Sequence, residues 1–407
     1  MYFLACADKN NKRIALKNIC PDFIFSPDVL TTFVKKTHYM YLKHLHLINF
    51  KNILQTELDF LPGINCFVGE NGAGKTNVLD ALYYLSFCKS YFNPIDSQNV
   101  NHDQDFFVIQ GVYDRRDDQE HIYCGLKRSQ KKQFKRNKKE YPKLADHIGL
   151  LPLVMISPAD EQLINEGSEQ RRKYIDGVIS QYDKSYLEDL LRYNRALMQR
   201  NVTLKDLREK GSRDYSMLEL WDDQLDQLAR RIHVKRVEFI GELVPVFQDY
   251  YAYISEGKEE IALQYKSHLQ EGSLKEHLLA VRSKDIMLGY TTKGIHKDDL
   301  ELLLGGYSIK KTASQGQKKT FLIALKLAQY EFIKRHNGLK PILLLDDIFD
   351  KLDTKRSSQL LQLVAEDKFN QIFITDTKKA YLMDILSTTG KPFRIFQVQQ
   401  GEIKVTE

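Results

Sequence analysis

The 407-residue sequence lacks any long apolar run. No stretch approaches the ~18 consecutive apolar residues of a membrane-spanning helix, and the apolar opening at residues 2–7 is too short for the core of a signal peptide. Five cysteines are scattered through apolar segments without a C-x-x-C pair, which fits a reduced cytosolic protein. We therefore expect a cytoplasmic chain with no place in or across a membrane.

The sequence also has little net charge. Sixty Lys and Arg against 54 Asp and Glu leave an excess of +6, which by itself does not argue for nucleic acid. The sequence has no internal repeat and no low-complexity tract, whereas 43% apolar and 11% aromatic residues suffice for well-packed cores. The chain is therefore expected to be globular, with two or three domains.

The basic residues are not evenly spread along the chain. The densest run contains eight of them: Lys127, Arg128, Lys131, Lys132, Lys135, Arg136, Lys138 and Lys139. Phe134 and Tyr141 lie nearby, so the run could face nucleic-acid phosphates. A solvated β-hairpin with charged outer faces explains the run equally well, and the sequence leaves both interpretations open.

Hydrophobic periodicity divides the chain into four segments. Alternating patterns from Met40 onward predict strands, among them a buried strand at 64–68, and two later strands predict an antiparallel β layer. Spacings of three and four residues then predict helices, before strands and helices alternate again. We expect an N-terminal extension at 1–39, the first part of an α/β head at 40–160, a helical lobe at 161–285, and the second part of the head at 286–407.

A glycine-rich run between the buried strand and the next helix satisfies the pattern G-x-x-x-x-G-K-[ST]. Glycines let backbone N–H groups close around phosphate oxygens, and the helix N-terminus adds its positive dipole end. The expected ATP contacts are Gly69, Glu70, Asn71, Gly72, Ala73, Gly74, Lys75 and Thr76. Lys75 should reach the β- and γ-phosphates, and Thr76 should ligate Mg²⁺. The alternative is a glycine turn before an ordinary helix, so a second motif is needed.

That second motif is a Walker B pattern at residues 342–347, where four apolar residues precede two carboxylates. Asp346 is expected to hold Mg²⁺ through water, and Asp347 to orient or deprotonate the attacking water. The alternative is an acidic strand end that faces solvent. The P-loop upstream favours the catalytic interpretation.

A third motif lies about thirty residues before the Walker B strand. Ser314 and Gln317 have the spacing of a capping box at a helix start, which could be an ordinary N-cap. Together with Asp350 and Asp353 after the carboxylates, their position resembles the signature and D-loop of ATP-binding cassette proteins. That resemblance implies that this helix caps the γ-phosphate of ATP bound to a second copy, so both residues would act in trans and ATP would join a homodimer.

Several segments in this order resemble the RecF family of recombination mediators, whose heads are similar to those of SMC proteins. They are residues 47–52, the P-loop and its helix, 156–160, 170–176, 294–299, the signature and the Walker B strand. The resemblance implies an α/β fold, an ABC/SMC-like P-loop NTPase head with a flanking antiparallel β layer and an inserted helical lobe. It also implies a weak ATPase switch that dimerises on gapped or junction DNA and, with RecO and RecR, promotes RecA loading.

Five positions qualify that resemblance. Lys51 stands where the family pattern has arginine, so we expect a point charge near phosphate. The role of His296 stays open between a functional and a core histidine, and Asp160 is a candidate γ-phosphate sensor in the segment aligned with the Q-loop. Asp347 replaces the glutamate of transporters, and Thr375 stands at the switch-histidine position. Slow turnover would follow.

Two other classes of protein have the same ATP-binding and signature motifs. A transporter ATPase subunit would need a membrane partner, a Q-loop glutamine and a switch histidine, none of which the sequence provides. An SMC-like structural tether would need a long arm, whereas residues 160–285 folded as paired helices reach only tens of ångströms at ~1.5 Å per residue. Both remain alternatives.

Overall fold

The computed structural model describes residues 39–116, 118–349, 354–365, 368–388 and 390–406. The strands of the first half are β1 (Met40–Phe50), β2 (Ile53–Asp59), β3 (Ile64–Val68), β4 (Phe106–Arg115), β5 (Asp118–Lys127), β6 (Gln133–Arg136), β7 (Lys139–Glu140) and β8 (Leu153–Ile156). The later strands are β9 (Ile261–Lys266), β10 (Asp299–Leu304), β11 (Tyr307–Ser308), β12 (Ile342–Asp346), β13 (Ile372–Asp376), β14 (Phe393–Gln399) and β15 (Glu402–Val405).

The helices within the described ranges belong either to the head or to the helical lobe. They are α1 (Lys75–Phe87), α2 (Gln162–Asn165), α3 (Ser168–Ile179), α4 (Lys184–Lys210), α5 (Ser216–Ser255), α6 (Leu274–Ala280), α7 (Arg282–Leu288), α8 (Ile309–Thr312), α9 (Gln315–Asn337), α10 (Thr354–Ala365) and α11 (Lys379–Thr388). Over the described ranges, no helix is both long and apolar enough to cross a bilayer.

A mainly parallel sheet forms the centre of the head, with strand order β15-β14-β3-β13-β12-β8. Its inner strands are apolar and buried on both faces, as expected of parallel strands covered on each side. In the parallel register Asp346 lies beside Thr375, and Asp376 beside Val68. The carboxyl ends of β3, β12 and β13 therefore meet at one edge of the sheet, where α/β proteins bind ligands.

The predicted antiparallel β layer is confirmed as a second sheet of order β2-β1-β4-β5-β6-β7. Alternate residues of β1 and β4 point inward, so Leu45 and Leu47 join Phe107 and Ile109 in a core that also contains one side of α1. This core places α1 between the two sheets. The α/β fold class expected from the sequence is the fold observed.

The helical lobe contains the longest helices of the described chain. α4 has 27 residues and α5 has 40, and α5 packs along both α4 and α9. The expectation of helices throughout 161–285 is wrong at one place, because residues 261–266 form β9 and pair with β10. Ile261, Leu263 and Tyr265 are buried while Gln264 is exposed, a two-residue period too short to stand out beside the long helical pattern.

His147 is a buried imidazole between α1 and the antiparallel sheet. Its Nε2 lies 2.7 Å from the Leu85 carbonyl oxygen, which can only accept, and its Nδ1 lies 3.0 Å from the Tyr141 hydroxyl. Burial lowers the pKa of His147 from 6.5 to about 4, because the charged form loses solvent.

The pH dependence of stability should reveal this histidine. At this site the unfolded chain binds an extra proton between pH 6.5 and about 4, so His147 should lower the free energy of unfolding by about 3 kcal/mol as pH decreases through that window. Denaturant titrations at pH 7.5, 6 and 4.5 measure the change. His147→Gln should make the pH dependence shallower by this histidine's share, because buried His296, whose pKa is also lowered to about 4, still contributes. His102→Gln at an exposed loop should leave the slope unchanged. Equal slopes for wild type and His147→Gln would contradict the assignment.

Candidate nucleotide-binding site

The P-loop connects the buried end of β3 to the first turn of α1. Gly72 and Gly74 have φ values of 80° and 116°, which residues with a Cβ rarely adopt. A Cβ on Gly69 would lie 2.2 Å from the Val398 carbonyl oxygen of β14. In the described structure no side chain caps the N-terminus of α1, so none competes with an anion for the first N–H groups of the helix.

Lys75 occupies the interior of this loop. Its Nζ donates hydrogen bonds to the carbonyl oxygens of Gly69 at 2.8 Å and Glu70 at 2.9 Å. The side chains of Glu70 and Asn71 are exposed at the loop tip. The structure thus brings the predicted loop residues together around one ammonium group.

Two residues outside the predicted site support the loop from behind. The Asn52 Nδ2 donates to the Ala73 carbonyl oxygen at 3.1 Å, and its Oδ1 accepts from Asn77 at 2.7 Å. The backbone N–H of Gly401 donates to the same Ala73 oxygen at 2.8 Å. A Cβ on Gly401, at φ 85°, would lie 2.2 Å from the Asn52 carbonyl oxygen. The sequence indicates a turn at Gly401, but only the fold brings it to the P-loop.

Asp346 is the centre of the polar cluster at the sheet edge. Its Oδ1 accepts from the hydroxyls of Thr76 at 2.8 Å and Thr375 at 2.7 Å, and its Oδ2 accepts from the Ser157 hydroxyl at 3.3 Å. Mg²⁺ prefers hard oxygen ligands and takes few of them from the protein. The hydroxyl of Thr76 and the carboxylate of Asp346 fit that requirement.

Asp347 follows directly and is half-buried. Its backbone N–H donates to the Thr375 hydroxyl at 3.1 Å, and its carbonyl accepts from Lys319 Nζ at 3.0 Å. Its φ of 45° is uncommon for a residue with a side chain. Burial, together with the charge of Asp346, raises the pKa of the Asp347 carboxyl above its usual value, which makes it a stronger base once ionised.

The signature segment forms the predicted capping box at the start of α9. The Gln317 N–H donates to the Ser314 Oγ at 3.3 Å, and the Ser314 N–H donates to the Gln317 Oε1 at 2.7 Å. Gln317 also donates from Nε2 to Glu259 at 2.9 Å. Ser314 is exposed, and among hydrogen bonds between described residues none joins it to residues 69–76. Asp350 and Asp353 of the expected D-loop lie outside the described residues.

Comparison with known proteins decides the family. A family model described as the RecF/RecN/SMC N terminal domain matches residues 41–404. A protein of Bacteroides fragilis named DNA replication and repair protein RecF is 54% identical over 369 residues, which are 90% of this chain and 99% of that protein. The chain belongs to the RecF family.

Further RecF relatives and solved structures agree. A protein of Flavobacterium johnsoniae with the same name is 48% identical over 88% of this chain and 100% of its own. A solved structure described as the recombination mediator protein RecF-ATP in the RecFOR pathway superposes with a TM-score of 0.82 at 31% identity, covering 91% of this chain and 99% of its own. An Smc head domain from Pyrococcus furiosus, at 16% identity and a TM-score of 0.55, shares the fold.

Three of the positions that differ from the RecF pattern or have an open role have defined partners in the structure. The Lys51 ammonium pairs with Asp80 of α1 at 2.6 Å, so its charge is already partnered. The carboxylate of Asp160 accepts from the Ser157 N–H at 2.9 Å, and among described residues no hydrogen bond joins it to residues 69–76. The His296 ring contacts the Tyr193 hydroxyl at 2.9 Å, and burial lowers its pKa to about 4. The last geometry is that of a core histidine.

The remaining RecF-like segments, 170–176 and 294–299, meet in one ion network. Arg236 of α5 donates to Asp298 at 2.8 Å and to Asp176 at 2.9 Å. Arg171 pairs with Asp299 at 2.7 Å. Arg236 and Asp298 are almost fully buried. These motif residues therefore join α3 and α5 to β10. They lie far from the P-loop in the sequence.

The basic run divides into structural and exposed residues. Arg128 donates to the carbonyl oxygen of Gln104 at 3.0 Å, Lys132 pairs with Asp96 at 2.7 Å, and Arg136 pairs with Glu120. Lys135 lies over the ring of Tyr123. The exposed lysines of this run are Lys127, Lys131, Lys138 and Lys139. The run thus lies in a β-hairpin, and these four lysines are its exposed cations.

Proposed function

We propose that this chain binds ATP with Mg²⁺ at residues 69–76 and hydrolyses it slowly, using the nucleotide as a switch. The observation that carries the proposal is the meeting of Thr76 with Asp346, 2.8 Å apart, at the carboxyl edge of the parallel sheet. A P-loop beside a Walker B carboxylate is the arrangement that NTP hydrolysis uses. The RecF structure described with ATP supports the choice of nucleotide.

The residues have distinct roles in this proposal. The N–H groups of the P-loop and the Lys75 ammonium bind the β- and γ-phosphates, where they stabilise the charge that develops during transfer. Thr76 and Asp346 hold Mg²⁺, which when bound neutralises phosphate oxygens. Asp347 orients the attacking water and accepts its proton. Thr375 holds both carboxylate residues by bonding to Asp346 Oδ1 and to the Asp347 N–H.

One protomer alone would be catalytically incomplete. Ser314 and Gln317 stand at the exposed N-terminus of α9, and a helix N-terminus attracts an anion through its free N–H groups and dipole. A second copy presents this turn to the γ-phosphate, so ATP lies between two protomers. Lys51, whose charge is paired with Asp80, would support α1 and reach the nucleotide only if that ion pair opened.

The ATP dimer acts on duplex DNA beside a single-stranded gap and, with RecR and RecO, promotes RecA loading in recombinational repair and replication. The relatives' name, DNA replication and repair protein RecF, supports this function over a transporter subunit. The lobe also favours it over a long tether, because even the 40 residues of α5 span only ~60 Å.

Binding to gapped duplex DNA should increase at least tenfold with ATP and fall steeply with salt, because phosphate contacts release counterions. Replacing Lys127, Lys131, Lys138 and Lys139 by Gln should weaken binding and lower the slope of log affinity against log salt by about 0.9 per lost contact. Fluorescence anisotropy from 50 to 300 mM salt measures both.

The matched control is Lys404→Gln, which removes one exposed lysine of the last strand, away from the hairpin. It should leave affinity and slope unchanged. Equal DNA affinity with and without ATP would overturn the proposed switch. If the slope of log affinity against log salt were the same for wild type and the four-lysine variant, the hairpin would not be part of the DNA-binding surface.

A further inference from the structure

Ser157 contacts the Walker B carboxylate on the oxygen that Thr76 of the P-loop does not contact. Its hydroxyl donates to Asp346 Oδ2 at 3.3 Å, while Thr76 and Thr375 both bond to Oδ1. Ser157 and Asp346 are both buried. The orientation of the carboxylate plane therefore depends on Ser157, because this serine holds the oxygen that the two threonines do not.

Ser157 is itself held by a buried carboxylate. Its N–H donates to Asp160 Oδ2 at 2.9 Å, in a capping box at the start of a short 3-10 turn, Pro158–Glu161. The other oxygen of Asp160 accepts from the Tyr91 hydroxyl and lies 2.6 Å from the Lys326 ammonium. Asp160 and Lys326 are 3% and 7% exposed in their side chains, so their attraction is weakly screened.

Lys326 connects this chain of contacts to the signature helix. It lies on α9, seven residues after Lys319, which donates to the carbonyl oxygen of Asp347 at 3.0 Å. Seven residues are about two helical turns, so the two lysines lie on one face of α9. That face contacts both Walker B residues, directly at Asp347 and through Asp160 and Ser157 at Asp346.

We propose that Lys326, Asp160 and Ser157 are positioning residues through which the signature helix sets the orientation of the Asp346 carboxylate. This inference rests on the proposed ATPase function. α9 begins at Ser314, the residue that would meet the nucleotide of a second protomer. A shift of α9 on engagement would move Lys326, and the buried ion pair would carry the shift to Asp160, Ser157 and the Mg²⁺-binding oxygen.

The direct test removes the last contact while leaving the ion pair intact. Ser157→Ala should lower kcat for ATP hydrolysis about tenfold, the scale of one lost hydrogen bond at a reacting centre. It should also raise the Mg²⁺ concentration needed for half-maximal rate, while ATP binding measured in EDTA and the thermal midpoint stay those of wild type. Unchanged kcat and Mg²⁺ dependence would overturn the proposal.

The ion pair is tested by comparing single and double variants. Lys326→Met leaves a buried carboxylate unpaired, so both stability and kcat should fall. Lys326→Met with Asp160→Asn removes both charges, and stability should recover while kcat stays low, because the ion pair that links α9 to the Ser157 turn is gone. If both stability and kcat recovered in the double variant, the Lys326–Asp160 ion pair would have only a structural role and the proposal would be overturned.

Lys334→Met is the control for the charge change. Lys334 lies on the same helix and pairs with Glu331 at 3.1 Å near the surface, so this variant should keep the wild-type kcat. If wild type itself hydrolyses no ATP, the proposed function fails. If wild type hydrolyses ATP and Ser157→Ala matches it, only the positioning role fails.

Discussion

Replacing Ser314 by Arg is expected to abolish ATP-dependent dimerisation, lowering dimer affinity by a hundredfold or more. The side chain would enter the space that the γ-phosphate of the other protomer needs, and the capping box with Gln317 would be lost. Lys75→Arg should fail as well, because the Lys75 ammonium is enclosed by the carbonyl oxygens of Gly69 and Glu70 and Arg is larger and planar. Sedimentation velocity with and without ATP should show an ATP-dependent dimer for wild type and for neither of these two variants.

Ser273→Arg is the matched control for this experiment. Ser273 caps α6 through the same type of box, with the Glu276 N–H donating to its Oγ at 3.2 Å. Each substitution should cost about 1 kcal/mol of local helix stability, so a general folding defect would affect both variants. The proposal requires dimerisation by Ser273→Arg but not by Ser314→Arg. An ATP-dependent dimer of Ser314→Arg would disprove the trans contact.

The parts of the site that the sequence predicts well are local. The P-loop needs glycines at fixed positions between a strand and a helix, and the Walker B motif needs an apolar strand that ends in carboxylates. The Ser314 cap needs its partner three residues later. Each of these constraints acts within about eight residues, so it is written in the sequence. The fold class follows because the periodicities on either side of the motifs are long and regular.

The parts that the sequence misses depend on contacts between distant segments. Asn52 and Gly401 meet the P-loop only after the two sheets have packed. Lys51 is a plausible phosphate ligand by position, yet the fold gives it Asp80 as a partner. Lys132 reads as a DNA contact within a basic run, yet Asp96 neutralises it at 2.7 Å. The partner of a charged side chain is a tertiary property that local spacing does not encode.

The partners of the charged residues in segments 170–176 and 294–299 could not be predicted from the sequence either. The network that they form gives the largest expected effect on stability. Arg236→Met should reduce the free energy of unfolding by about 3–5 kcal/mol, because it leaves the buried Asp298 carboxylate and the partly buried Asp176 carboxylate without their cation. Asp298 loses a partner at 2.8 Å and Asp176 one at 2.9 Å. Denaturant unfolding followed by circular dichroism measures the loss, and Arg231→Met is the control. Arg231 lies on the same helix as Arg236 and pairs with Asp189 of α4, but its side chain is 54% exposed. Its loss should therefore cost no more than about 1 kcal/mol.

The pH dependence of the Arg236→Met loss distinguishes an unpaired charge from a packing defect. Even beside Arg236, burial raises the pKa of the Asp298 carboxyl above its usual value. Without the guanidinium that pKa rises further, so the folded variant binds a proton that the unfolded chain releases, and stability is gained as pH falls. The deficit of Arg236→Met relative to wild type should therefore shrink from pH 8 to pH 5. A deficit that is constant across this range would mean that lost packing, and not the buried carboxylates, sets the stability of the network.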